Sequence, residues 1–182
     1  MLMGMLAAGG METLTDGVRA PDDDNPRGYF ELERVRQLQT GMDTAWLGEA
    51  RGRCLKVISY FLKHLPPDER YRVVFVRRNL VEVLASQRRM LERRGEPAGD
   101  AGEDGRLQGA FAAHLSKVER ALAARADCRV LYVEHRAAIE TPRSVAEEVN
   151  RFLDGRLDVD RMASAVDPLL YRQRAGEESQ DG

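Results

Sequence analysis

Residues 71–94 read YRVVFVRRNLVEVLASQRRMLERR, and a change of period inside this stretch decides the fold. Tyr71 to Val76 is a short, β-branched and almost continuously apolar run, the composition of a strand covered on both faces. Arg77 and Arg78 close the run, and Asn79 is a residue type that caps helices. From Asn79 onward the apolar residues recur at helical spacing. A strand feeding a helix is the unit from which parallel sheets are built.

Two further runs have the same character, Arg53 to Ser59 (RCLKVIS) and Cys128 to Glu134 (CRVLYVE). An amphipathic helix is predicted over 107–126, and after HRAAIE another over 141–155, with Thr141 as its cap, Pro142 at its first position and Gly155 as its stop. Upstream, MLMGMLAAGGM reads as a helix ending at Gly9-Gly10, and METLT as a short strand. The turn-rich stretch from Asp16 passes into an amphipathic helix near Glu31 to Gln39. Strands alternating with helices predict an α/β fold, a parallel sheet between two helical layers, over residues 1–174. Residues 175–182 are expected to be a disordered tail, and Gly95 to Gly105 a flexible acidic loop.

A chain of 182 residues with 43% hydrophobic content fits one domain. Charged residues make up 32%, but the formal net charge is only -2. That balance argues against nucleic acid and anionic membranes as partners, so any anion site must be local. The basic residues are almost all arginine, which suits bidentate binding of phosphate or sulfate. Cys54 and Cys128 suggest no disulfide framework, and His64, His114 and His135 have no metal-ligand spacing. A cytoplasmic protein without a metal is therefore expected. No Lys or Arg precedes Arg19, as a signal peptide would require. Gly9, Gly10 and Glu12 end the opening apolar run well short of the roughly 20 residues of a membrane span. The glycines of 95–105 are interleaved with acids that repel phosphate, and no GK[ST] follows them.

Ligands of open parallel sheets bind outside the carboxyl ends of the strands, where Arg78 stands. Ser86 follows eight residues later, roughly two helical turns, so a guanidinium and a hydroxyl can approach one oxyanion. The alternative is that Arg77 and Arg78 are strand-end charges paired with Glu82, and that Ser86 packs a helix.

The segment RVVFVRRNLVEVLASQ resembles the 3′-phosphate-binding segment of the sulfotransferases, which use 3′-phosphoadenosine-5′-phosphosulfate. MLAAGGMETLTDGVR, DNPRGYFE, HLPPDERYRVVFVRR and AVDPLLYRQR are similar to stretches of a bacterial sulfotransferase-like group, in the same order. The resemblance implies a P-loop kinase-like fold in which Arg78 and Ser86 hold the donor's 3′-phosphate, with Arg172 and Arg174 as candidates to close over it. It also implies a first strand and a 5′-phosphosulfate loop like PRSGTS before a helix beginning like MLMGML. Met1 stands where that helix begins. The expectation is thus a sulfotransferase-like domain lacking its first strand and phosphosulfate loop, inactive as given, most simply through a start assigned at an internal Met.

In such an enzyme an acceptor hydroxyl or amine attacks sulfur in line, and a base takes its proton; positioning and electrostatics do most of the work. Glu31 is the first candidate base, because related enzymes place an acid shortly after the first helix. It also reads as an acidic first-turn residue of the next helix. His64 is the second, because family members carry a histidine after the third strand, in an offset register. Lys56, a strand lysine between apolar neighbours, either faces the donor or is solvated at an edge, and Lys63 follows it after a short helix-like stretch. Two alternatives stand beside the enzyme: a P-loop kinase-like protein, which would carry GxxxxGK[ST] upstream, and a non-catalytic remnant binding a nucleotide or a protein. The acceptor is expected to be a small or carbohydrate-like molecule, and Asp22, Asp23 and Asp24 disfavour a polyanionic one. Its identity and the oligomeric state are not encoded in any motif of the chain.

Overall fold

The computed structural model describes residues 1–20, 28–41, 43–93, 95 and 101–168. Its centre is a pair of parallel strands, β1 (Tyr71–Arg77) and β2 (Cys128–Glu134), in register from Tyr71 opposite Cys128 to Arg77 opposite Glu134. Parallel strands need a long crossover, and here it is a helical hairpin of α3 (Leu80–Arg93) and α4 (Ala101–Ala123), clasped by an ion pair between Arg88 and Asp104. Asn79 caps α3 as its residue type predicts, its Oδ1 accepting the Val81 N–H at 2.9 Å.

Apolar side chains cover both faces of the pair. Val73, Phe75, Val130 and Tyr132 join one core with Trp46, Leu62, Val118 and Leu122, from the first half of the chain and α4. Val74, Leu131 and Val133 join the other, built on α1 (Leu2–Ala8), α5 (His135–Glu140), α6 (Pro142–Phe152) and α7 (Val159–Ser164). The near-continuous apolar character of YRVVFV and CRVLYVE follows from this double burial.

The run Arg53 to Ser59 does not form the expected strand. Only Cys54 pairs, in a single parallel bridge to Thr13, through Cys54 N–H to Glu12 O at 2.9 Å and Leu14 N–H to Cys54 O at 2.8 Å. Leu55 and Val57 then turn into the first core, and the chain enters the short α2 (Ser59–Leu62). Among the described residues, the sheet proper has two strands. The expected helix near Glu31 to Gln39 is a 3₁₀ helix, Glu33–Gln39. Its buried residues, Val35 and Leu38, are three apart, so three residues per turn stacks both on the core. The expected loop 95–105 is shorter than its composition implied, since α4 begins at Ala101; residues 96–100 lie outside the described residues. Pro142 does open α6. Thr141, however, does not cap it: its hydroxyl reaches back to donate to Ala137 O at 3.0 Å. The tail, 175–182, lies outside the described residues.

The end of α1 is fixed by two glycines. Gly10, at φ +94, donates to Ala7 O and lets Met11 donate to Leu6 O at 2.9 Å, the paired bonds of a Schellman ending. Gly9 lies against α7, where a Cβ would come within 2.5 Å of Cγ of Met162, itself fully buried. We expect Gly9→Ala to cost about 1–3 kcal/mol by overpacking, read as a lowered urea midpoint. An unchanged midpoint would show that α7 can move away from α1.

Candidate functional site

The register places Arg77 opposite Glu134, so the next residues, Arg78 and His135, leave the sheet side by side at its carboxyl edge. The neighbouring arginines take different roles. Arg77 is engaged: its Nε and Nη2 each donate to a Glu119 carboxylate oxygen of α4 at 2.9 Å, and its guanidinium lies 4.1 Å over the Tyr132 ring. Arg78 turns toward α3, with its Nε 3.6 Å from Oε2 of Glu82. Glu82 is buried, its side chain only 6% exposed, whereas that of Arg78 keeps 29%. The Arg78 Nε is itself buried and makes no hydrogen bond.

A carboxylate removed from water needs a cation beside it, so Glu82 anchors Arg78 at the end of β1. The sequence alternative of an Arg78–Glu82 pair is present, and the Arg78 side chain stays partly exposed. Ser86 is half-buried on the same helix, about 9 Å along the axis from its first residue, Leu80. No hydrogen bond joins Ser86 to Arg78 in the structure.

His135 completes the edge. Burial, reinforced by the nearby Arg78 guanidinium, pushes its imidazole down to about 4, against a pull the other way from Glu82. Arg78, Glu82 and His135 thus form one electrostatic group. In the sequence His135 is one of three scattered histidines; the signal that marks it is its position directly after an apolar strand, close to that of Arg78.

Glu31 belongs to a second place. Its Oε1 accepts from Lys56 Nζ at 3.2 Å and from Arg19 Nη1 at 3.5 Å. Lys56 also donates to Tyr29 O at 3.2 Å, and the Arg19 guanidinium lies 3.3 Å over the Tyr29 ring. Arg19, Tyr29 and Glu31 line a cavity of about 200 Å³ together with Thr15 and Phe30. Phe30 adopts φ +51, a conformation rare for a bulky side chain and found where a site constrains the backbone. Lys56 therefore faces Glu31, and no ion pair or hydrogen bond joins this group to Arg78 or Ser86 among the described residues.

His64 sits apart from both. Its Nε2 is buried and makes no hydrogen bond, and its ring packs 6.4 Å from that of Tyr60. Lys63 lies 4.9 Å over the Tyr60 ring. Arg172 and Arg174 lie outside the described residues. Cys54 and Cys128 are not disulfide-bonded, and burial pushes the Cys54 thiol up to about 11, which makes it a poor nucleophile. Among the described residues, no group of three or more His, Cys, Asp or Glu side chains is placed to hold a metal ion. No helix among them is long and apolar enough to cross a membrane.

No protein-family model, curated protein or solved structure matches this chain.

The depressed His135 value has a thermodynamic consequence. The folded state favours the neutral imidazole, so its contribution to stability is complete above the ordinary value of 6.5 and is lost as pH falls toward about 4. Urea midpoints measured across that window should fall more steeply for the native chain than for His135→Gln. Parallel curves would remove His135 from the buried edge.

Proposed function

We propose that this chain is a sulfotransferase-like domain that binds 3′-phosphoadenosine-5′-phosphosulfate through its 3′-phosphate, at Arg78 and Ser86. The observation that carries the reading is Arg78: an arginine at the carboxyl end of a parallel strand, beside a buried carboxylate, with 29% of its side chain exposed. Arginine so held has lost little freedom left to lose on binding a phosphate, and its planar donors suit the ligand's oxygens. Ser86 adds a neutral donor from the next turns of the same helix.

The finer architecture is part of the same proposal. The Thr13–Cys54 bridge and the β1–β2 pair, both parallel, are read as two portions of one three-layer, P-loop kinase-like sheet. The cavity beside Glu31 is read as the acceptor side, with the carboxylate as proton acceptor. There an acceptor hydroxyl or amine would form a bond to sulfur, the bond from sulfur to the nucleotide's bridging oxygen would break, and the acceptor's proton would pass to Glu31. Adenosine 3′,5′-bisphosphate would leave. A small or carbohydrate-like acceptor and a cytoplasmic setting belong to this reading.

Calorimetry with adenosine 3′,5′-bisphosphate tests it. A hydrogen bond to a charged group contributes about 1.5–3 kcal/mol and a neutral one about 0.5–1.5 kcal/mol. Arg78→Ala should therefore weaken binding roughly tenfold to a hundredfold, and Ser86→Ala about two- to tenfold. Adenosine 5′-monophosphate, which lacks the 3′-phosphate, should bind weakly and be indifferent to both changes. Because Arg78→Ala removes a cation that faces the buried Glu82 carboxylate, Arg78→Lys is measured beside it and should lie between Arg78→Ala and the native chain. Equal affinity in all variants overturns the assignment.

A further inference from the structure

Ser59, the first residue of α2, and His114, at mid-length on α4, are 55 residues apart in the chain, yet Ser59 Oγ and His114 Nε2 are 3.0 Å apart. Both side chains are half-buried. A serine hydroxyl within hydrogen-bond reach of an imidazole is the arrangement that turns a weak nucleophile into a reactive one. The imidazole is also held. The Tyr60 ring stacks on it at 6.3 Å between centroids with an interplanar angle of 25°, and Tyr60 OH accepts from Gln39 Nε2 at 3.4 Å. The surroundings are accessible and partly apolar: Ile58 is 54% exposed and Tyr60 44%. Lys63 Nζ lies over the Tyr60 ring.

We propose that Ser59 and His114 form a nucleophile–base pair that accepts the acyl group of small alkyl or aryl esters, a chemistry separate from the nucleotide reading. In the first step Ser59 Oγ bonds to the ester carbonyl carbon while its proton moves to His114 Nε2. The carbon–oxygen bond to the leaving alcohol then breaks, and His114 returns the proton to that oxygen. In the second step water bonds to the acyl carbon as His114 takes its proton; the bond from that carbon to Ser59 Oγ then breaks, His114 returns the proton to Oγ, and the carboxylic acid leaves. No oxidant or cofactor enters the balance. Ile58 and Tyr60 provide an apolar rim for the acyl group, and the Lys63 ammonium over the Tyr60 ring is the neighbouring cation available to charge developing on the carbonyl oxygen.

The test uses the full chain with two probes, a short-chain alkyl fluorophosphonate and p-nitrophenyl acetate, and locates adducts by peptide mass spectrometry. The internal control is Ser116, an exposed serine on the same helix as His114. Ser59 should be labelled at least about tenfold faster than Ser116, with a rate that rises with pH through one ionisation. A positioned general base contributes about 10²–10⁴-fold, so His114→Gln should slow labelling by about a hundredfold and abolish that pH dependence, with its thermal midpoint showing that it is folded. Labelling of Ser59 no faster than Ser116 overturns the proposal from the native chain alone, whatever the variant does. Labelling undiminished in a folded His114→Gln variant overturns it equally.

Discussion

Two strands that run the same way cannot be joined by a tight turn, and that constraint organises this molecule. The chain leaving β1 at Arg77 must travel back to the level of Tyr71 before β2 can begin, and it does so through α3 and α4. The return ends with Tyr71 N–H donating to Asp127 O at 2.8 Å, while Arg125 donates to Leu65 O at 2.7 Å. The floor of the sheet is thus closed by backbone and guanidinium bonds. Its opposite end, where both strands finish, is left for side chains.

At that end a pair of adjacent arginines shows how one residue type is divided between structure and chemistry. Arg77 gives its Nε and Nη2 to Glu119 and its face to Tyr132, which ties α4 to the sheet and leaves little for a ligand. Arg78, one residue on, has left the ladder and faces a carboxylate on its own following helix. The alternation of side chains along an extended chain sends neighbours to opposite sides, so the two could not share a task. Glu82 is buried and Arg78 only partly exposed, so breaking the pair costs more than breaking an exposed one.

The strands YRVVFV and CRVLYVE were legible because burial on both faces leaves a continuous apolar signature, and α3 and α6 were legible from period and from Asn79 and Pro142. Arg53 to Ser59 carries the same signature for a different reason: Leu55 and Val57 are apolar because they enter a core, not because they pair. Composition reports burial and does not report hydrogen-bond partners, so a single bridge at Cys54 reads like a strand. The same blindness hid the candidate site. Arg78 was visible as a charge ending an apolar run with Glu82 one helical turn on, but His135 becomes its neighbour only through strand register, and Ser59 meets His114 only through the packing of α2 on α4.

The positions of these groups follow from the direction of α4. Its last turns lie near the start of β1, since Arg125 bonds the Leu65 and Pro66 carbonyls just before that strand, while Glu119 meets Arg77 at the strand's end. The helix therefore runs antiparallel to β1, and each residue before Glu119 rises past the carboxyl edge. His114 stands five residues earlier, about 7.5 Å further along. Ser59, bonded to it, must lie on the same side, so the segment leaving the Cys54 bridge runs toward the edge where Arg78 and His135 emerge.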